Sequence, residues 1–66
     1  MEFSEKVKNA RKQLNLSQER FAAKLGMSFA SINRWEKGHS KPSYLAQTHF
    51  ENFCKDNGIV FDDNNK

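Results

Sequence analysis

Apolar residues recur every three or four positions along most of the chain, which is the spacing of helices that bury one face. The first segment has this spacing at Phe3, Val7, Ala10 and Leu14. Turn-forming and capping residues interrupt the pattern. The pattern predicts four helices, at about residues 4–14, 18–25, 29–37 and 44–57, followed by a tail at residues 58–66. We therefore expect a single compact all-α domain that covers residues 1–66.

The two central helices are short and closely connected. Ser17 and Ser28 can begin them, because a serine hydroxyl accepts a hydrogen bond from a backbone N–H of the first turn. Gly26 and Gly38 can end them, because glycine adopts left-handed backbone angles without steric cost. Ala22 is small enough to let the two helices cross closely. This combination predicts a helix-turn-helix.

The fourth helix follows a loop that contains a proline. Pro42 disfavours helix at the residue before it, and Ser43 can cap the helix that comes next. Asn57 and Gly58 form a stop signal. The predicted inner face of this helix consists of Leu45, Ala46, His49, Phe50 and Phe53.

The third helix has two unlike sides. On a wheel of about 3.6 residues per turn, Ser28, Ile32 and Trp35 lie on one side, which we expect to face the core. The opposite side carries Phe29, Ala30, Asn33, Arg34 and Lys37. An arginine can grip the edge of guanine, an asparagine can pair with adenine or a phosphate, and phenyl or methyl groups can contact the methyl of thymine. This face therefore suits the major groove of DNA.

Each of these residues also has a simpler explanation. Arg34 and Lys37 can merely keep an exposed helix in solution, and Phe29 can belong to the core at the start of its helix. The DNA interpretation depends on the whole face, presented behind a helix-turn-helix signal, rather than on any single residue.

Positive charge is concentrated in the part of the chain that holds the two central helices. The formal net charge is only +3, yet residues 6–41 contain nine Lys or Arg against two Glu, a net charge of +7. Residues 42–65 contain one Lys against four acidic residues, a net charge of −3. Such polarity is typical of nucleic-acid binders, although scattered surface lysines would give the same counts.

The tail begins with a short apolar run, Ile59, Val60 and Phe61, and continues as a polar stretch. Two structures suit this run. It can fold back and cover the core, which we favour. It can instead form a lone strand that pairs with a copy of itself in a two-fold dimer.

Other kinds of chemistry find little support in the sequence. His39, His49 and Cys54 do not have the spacing of a zinc site. No phosphate-binding glycine loop and no nucleophile elbow is present, so we expect no enzyme, no metal and no cofactor. The chain contains no apolar run long enough for a membrane span, and its one cysteine cannot form an internal disulfide. We therefore expect a cytoplasmic protein.

The segment from Leu14 to Gly38, with Lys41-Pro42-Ser43 after it, resembles the Cro and phage-repressor class of helix-turn-helix proteins, the XRE family. The resemblance covers roughly residues 4–57 and rests on the spacing of Gln18, Ala22, Gly26, Ile32, Trp35 and Glu36. It implies a repressor-like domain of four packed helices whose third helix contacts DNA. Most members carry a fifth, dimerising helix, where this chain has only a short apolar run. The first contact position is often glutamine, where this chain has Phe29.

The resemblance also implies the roles of individual residues. It assigns base contacts to Phe29, Ala30, Asn33 and Arg34. It assigns phosphate contacts to Gln18, Ser28, Ser31, Lys37, His39, Ser40 and Lys41. It implies a partly buried ion pair between Arg11 and Glu36. Pairing would neutralise a carboxylate that would otherwise repel the phosphates of approaching DNA.

Two functions fit these observations. The first is a sequence-specific regulator, expected to be a repressor, that binds a double-stranded DNA operator as a homodimer. The second is a protein-interaction module, such as an antitoxin-like partner of another protein, that keeps the fold without reading DNA. Two cations and an amide on one helix favour DNA, whereas Phe29 favours a protein partner.

Overall fold

The computed structural model describes residues 2–38 and 42–61. These residues form four helices, α1 (Phe3–Gln13), α2 (Gln18–Leu25), α3 (Phe29–Lys37) and α4 (Tyr44–Asp56), and the described ranges contain no β-strand. None of these four helices is both long and apolar enough to cross a membrane. α1 and α2 both pack against α3, so that α3 is held by two other helices. The prediction of an all-α, four-helix fold is confirmed.

Capping residues determine where α2, α3 and α4 begin and end. The hydroxyls of Ser17, Ser28 and Ser43 each accept a hydrogen bond from the backbone N–H three residues later, over 3.1–3.2 Å. Gly26 and Gly38 follow the last residues of α2 and α3 with a φ of 74° each, in the left-handed region that favours glycine. Residues 26–28 alone separate the two helices, so the turn between them is tight.

α1 begins one residue earlier than the sequence pattern predicts. The backbone N–H of Glu2 donates to the carboxylate of Glu5 over 3.3 Å, which closes the first turn with Phe3 already inside the helix. The ring of Phe3 lies edge-on to the rings of Trp35 and Phe50, with centroid distances of 5.2 Å and 5.4 Å. This aromatic contact ties the start of α1 to both α3 and α4.

The predicted inner face of α4 is wrong at Leu45, which is 78% exposed, and at His49, which is also exposed. Phe50 and Cys54 are buried, and Ala46 and Phe53 are partly buried against the core. At about 100° per residue, Leu45 lies about 140° around the helix from Phe50 and so faces away from it.

The core consists of aliphatic and aromatic side chains from all four helices. Val7, Phe21, Ile32 and Phe50 are fully buried, one from each helix, and Trp35 is 6% exposed. Burying a large apolar side chain contributes roughly 1.5–3 kcal/mol. Because Ile32 and Trp35 are both held inside, the opposite side of α3 faces outward. The prediction that Ser28 also faces the core is wrong: it is exposed, since it caps α3 from just before the first residue of the helix.

The apolar run after α4 folds back onto the core, as the first of the two alternatives requires. Ile59 is buried and Phe61 packs against the core, while Val60 between them is exposed. The side-chain amide of Gln13 donates to the carbonyl oxygen of Val60 over 2.7 Å and accepts from its N–H over 3.3 Å. Both backbone groups that a second strand would need at Val60 are therefore already bonded within the chain.

An ion pair ties α1 to α3. Nε of Arg11 donates to Oε2 of Glu36 over 2.7 Å, and Nη2 donates to Oε1 over 3.0 Å, so the pair is bidentate. Nη1 of Arg11 donates to the carbonyl oxygen of Leu16 over 3.1 Å, in the loop before α2. Glu36 is buried and Arg11 is partly buried. One guanidinium group thus joins α1, the loop that follows it and α3.

This ion pair keeps Glu36 ionised. Burial alone would raise the pKa of its carboxyl group, but hydrogen bonds from Arg11 and Gln18 and the positive charges of Arg11 and Lys8 outweigh burial. The pKa of Glu36 therefore lies below its ordinary value of 4.5. The hydrogen bond to Glu36 in turn raises the pKa of Arg11.

The substitution Glu36→Ala should lower the stability of the fold, because it leaves the guanidinium of Arg11 without its anionic partner. Breaking a well-buried pair costs about 3–5 kcal/mol, and Arg11 keeps some contact with water, so we expect about 2–3 kcal/mol. Urea unfolding at neutral pH measures this change. The matched control is Glu19→Ala, which removes an exposed carboxylate from α2 and should change stability by less than about 0.5 kcal/mol. Equal stability of wild type and Glu36→Ala would contradict a structural role for the pair.

The stabilisation that Glu36 provides should also depend on pH. Since its pKa is lower in the folded chain than in the unfolded chain, the contribution is complete above about 4.5 and is lost as the pH falls through the folded pKa. The difference in unfolding free energy between wild type and Glu36→Gln should therefore be largest near neutral pH and shrink under acid conditions. Urea titrations across this range measure the difference. A difference that stays constant down to acid pH would show that ionisation of Glu36 does not stabilise the fold.

Candidate nucleic-acid interface

The outward side of α3 forms a shallow surface of mixed chemistry, which we call the α3 outer face. It is lined by Phe29, Ala30, Asn33, Arg34 and Lys37, the residues that the helical wheel places opposite the core. Asn33 is half-buried and the other four are exposed, with 47% of Phe29 accessible. Phe29 is therefore not a core residue, and the two cations extend from the last turn of α3.

Asn33 is connected to the buried ion pair through Gln18. Nδ2 of Asn33 donates to Oε1 of Gln18 over 3.2 Å, and Nε2 of Gln18 donates to Oε1 of Glu36 over 3.0 Å. With Arg11, these residues form one continuous chain of hydrogen bonds from α1 to the α3 outer face. We call this chain, Arg11–Glu36–Gln18–Asn33, the polar relay.

The two amide links of the polar relay do not follow from the periodicity of the sequence. A signal for them exists, because Asn33 and Glu36 are three residues apart and are therefore neighbours on one face of a helix. Gln18 is the first residue of α2, on the helix that packs against α3. Asn33 and Glu36 on one side of α3, next to the start of α2, would have indicated that the amide of Gln18 bridges them.

The predicted phosphate contacts lie partly at the start of α3. The hydroxyl of Ser28 accepts from the N–H of Ser31 over 3.1 Å and donates to the hydroxyl of Ser31 over 3.0 Å. Helix N-termini attract anions, since they combine free backbone N–H groups with the positive end of the helix dipole. The predicted contacts at His39, Ser40 and Lys41 lie outside the described residues.

Exposed charge on α2 and α3 is mainly positive. Arg34 and Lys37 on α3 are exposed, as are Arg20 and Lys24 on α2. Glu36 is the one acidic residue of α3, and it is buried and paired. α3 therefore presents no exposed carboxylate to an approaching polyanion.

His49 and Cys54 are both engaged in the fold. His49, which the sequence pattern assigns to the inner face of α4, is exposed, and its Nε2 donates to the carbonyl oxygen of Leu25 over 2.7 Å. Burial, together with the negative charge of Glu51, raises the pKa of the buried Cys54 thiol to about 11. Within residues 2–38 and 42–61, no three His, Cys, Asp or Glu side chains are grouped as a metal site requires.

Comparison with known proteins agrees with this geometry. The sequence model of the helix-turn-helix family matches residues 7–45, which is more than half of the chain. The match includes all of α2 and α3, and with them the whole α3 outer face. No curated protein and no solved structure matches the chain. The chain therefore belongs to the helix-turn-helix family of the XRE type, a family of DNA-binding proteins.

Proposed function

We propose that this protein is a sequence-specific regulator of transcription, and specifically a repressor, that inserts α3 into the major groove of double-stranded DNA. The observation that carries the proposal is the α3 outer face, whose five residues lie together and away from the core. A helix with its side chains is about 10–12 Å across and the major groove is about 12 Å wide, so α3 can enter it.

Four residues of the α3 outer face supply the proposed base contacts. Arg34 donates two hydrogen bonds to the edge of a guanine, and Asn33 pairs with an adenine. Phe29 and Ala30 contact the methyl groups of thymines. The exposure of Phe29, Ala30 and Arg34 supports these roles, since none of them is held in the core.

The proposed phosphate contacts position α3 on the duplex and add no sequence preference of their own. Ser28 and Ser31 meet one phosphate at the start of α3, and Lys37 meets another near its end. The loop residues His39, Ser40 and Lys41 complete the proposed set. The side chain of Gln18 is engaged in the polar relay, which leaves its backbone N–H at the start of α2 for a phosphate.

In this proposal the protein binds as a homodimer to an operator with two-fold symmetry. Equivalent α3 helices then enter the groove on one side of the duplex, in half-sites about 10 base pairs apart or a multiple of that spacing. A dimer bound in this way represses by covering a promoter. In this proposal the protein binds its operator and represses transcription in the cytoplasm.

A protein-interaction module is the second candidate, and the exposed apolar residues favour it. Tyr44 and Leu45 at the start of α4 are 82% and 78% exposed, and Phe29 is also accessible. Exposed apolar side chains that adjoin one another are typical of protein contacts, and Tyr44 and Leu45 are consecutive residues of α4. A thymine methyl accounts for Phe29, but DNA bound to α3 gives no role to Tyr44 and Leu45. An antitoxin-like arrangement, in which another protein contacts α4, would account for them.

Selection of bound sequences from a pool of random duplexes tests the proposed function. We expect an enriched consensus with two-fold symmetry and half-sites about 10 base pairs apart or a multiple. On the enriched duplex, the logarithm of the affinity should fall linearly with the logarithm of salt concentration, with a slope of about −0.9 per phosphate contact. A folded protein that enriches no sequence and binds no duplex at low salt would contradict the proposal.

The substitution Arg34→Ala should relax the choice of base at one pair in each half-site, because a bidentate contact to guanine is lost. The cost on the preferred sequence should be about 1–3 kcal/mol. Arg20→Ala is the matched control, since it removes an exposed arginine from α2 and should leave the consensus unchanged. Fluorescence anisotropy on the consensus duplex and on single-pair variants measures both effects. If Arg34→Ala weakened binding to every sequence equally, Arg34 would be a phosphate contact instead.

A further inference from the structure

We infer that Gln18 is a positioning residue that fixes the orientation of the Asn33 amide, so that Asn33 selects adenine at one base pair of the binding site. The inference rests on the proposed function, because it assigns a preference to a contact which that function requires. It also gives the side chain of Gln18 a different role from the phosphate contact that the family resemblance implies.

The carboxylate of Glu36 determines the direction of the polar relay. A carboxylate contains only acceptor atoms, and both oxygens of Glu36 already accept from Arg11 over 2.7 Å and 3.0 Å. The amide of Gln18 has a donor side, Nε2, and an acceptor side, Oε1. Only the donor side can face Glu36, and Nε2 lies 3.0 Å from Oε1 of Glu36.

The same reasoning fixes the amide of Asn33. With Nε2 held at Glu36, the side of the Gln18 amide that faces Asn33 carries the acceptor Oε1. Asn33 must therefore turn its donor towards Gln18, and the two atoms are 3.2 Å apart. Within the described residues, Oδ1 of Asn33 accepts no hydrogen bond, and one hydrogen on Nδ2 is left over. Since Asn33 lines the α3 outer face, it presents an acceptor beside a donor to the groove.

An acceptor beside a donor matches adenine better than any other base. In the major groove adenine shows the N6 amino donor next to the N7 acceptor, so the fixed amide of Asn33 can form two hydrogen bonds with it. Guanine shows two acceptors, thymine shows an acceptor and a methyl group, and cytosine shows a single donor. A freely rotating asparagine could turn Nδ2 towards the acceptors of guanine or thymine. The polar relay prevents this rotation and so makes Asn33 selective.

The substitution Gln18→Met tests the inference, because methionine has a similar length and volume but no amide. Gln18→Ala is a second variant that does not depend on the fit of methionine. Gln47→Met is the matched control, since it makes the same change on α4, away from the α3 outer face. Random-duplex selection is carried out with wild type, these three variants and Asn33→Ala, after thermal unfolding has shown that each protein is folded.

We expect wild type and Gln47→Met to select adenine at one position of each half-site, and Asn33→Ala to lose that preference. Both Gln18 variants should keep the rest of the consensus. Their affinity ratio for adenine over guanine at that position should fall by about 5- to 150-fold, the range that a bidentate base contact provides. A readout without DNA comes from NMR of the free protein. The Nδ2 hydrogens of Asn33 should exchange with water faster in both Gln18 variants and at the wild-type rate in Gln47→Met.

Three results would overturn the inference. If the Gln18 variants keep the full adenine preference, Gln18 does not orient Asn33. If they weaken binding to all duplexes equally and make the salt slope shallower by about 0.9, the side chain of Gln18 is a phosphate contact. If Asn33→Ala leaves the consensus unchanged, Asn33 does not select a base. In all three cases the wild-type consensus persists and sequence-specific DNA binding stands, although the third result removes Asn33 from the proposed base contacts. A wild type that selects no consensus would remove both the inference and the proposed function.

Discussion

The buried carboxylate of Glu36 imposes the main constraint on this small domain. Removing a carboxylate from water costs free energy unless it is paired and hydrogen-bonded, and an unpaired negative charge on α3 would oppose the approach of phosphates. Arg11 neutralises the charge, and Gln18 donates a further hydrogen bond. Because Arg11 lies on α1, Gln18 on α2 and Glu36 on α3, satisfying this one carboxylate requires three helices to meet in a single arrangement. The constraint therefore determines the relative placement of the helices as well as contributing to their stability.

The apolar core and the polar relay make different contributions to the position of α3. Burial of Ile32 and Trp35 contributes favourable free energy, but the hydrophobic effect has no direction and tolerates small rotations of a helix about its axis. A bidentate arginine–carboxylate pair does have a direction, since both N–H groups must point at the two oxygens. Any rotation of α3 that moved Glu36 away from Arg11 would also change which side chains face outward. The relay thus limits the rotation that the core alone would permit.

Features that depend on neighbouring residues were predictable from the sequence, and features that depend on distant partners were not. The bounds of α3 follow from Ser28 and Gly38, because capping and left-handed stops act within one turn. The position of Leu45 did not follow, since two consecutive apolar residues look the same in the sequence whichever of them faces the core, and here Ala46 does so instead of Leu45. The link from Gln18 to Glu36 spans two helices, and no periodicity within either helix reveals it. The ion pair itself was expected only from the family resemblance, and the five residues of the α3 outer face were expected from the helical wheel.

The polar relay also implies that base preference need not be determined on the surface that contacts DNA. Asn33 can present its amide in two orientations, and within the described residues its side-chain hydrogen bond is to Gln18, not to another residue of the α3 outer face. The choice comes from Gln18, whose own orientation is set by the charge of Glu36. Arg34 has no part in this chain of hydrogen bonds, so its contact should be independent of the relay. Two proteins with the same α3 outer face could then bind different sequences if they differ at position 18, and a comparison limited to α3 would miss the cause.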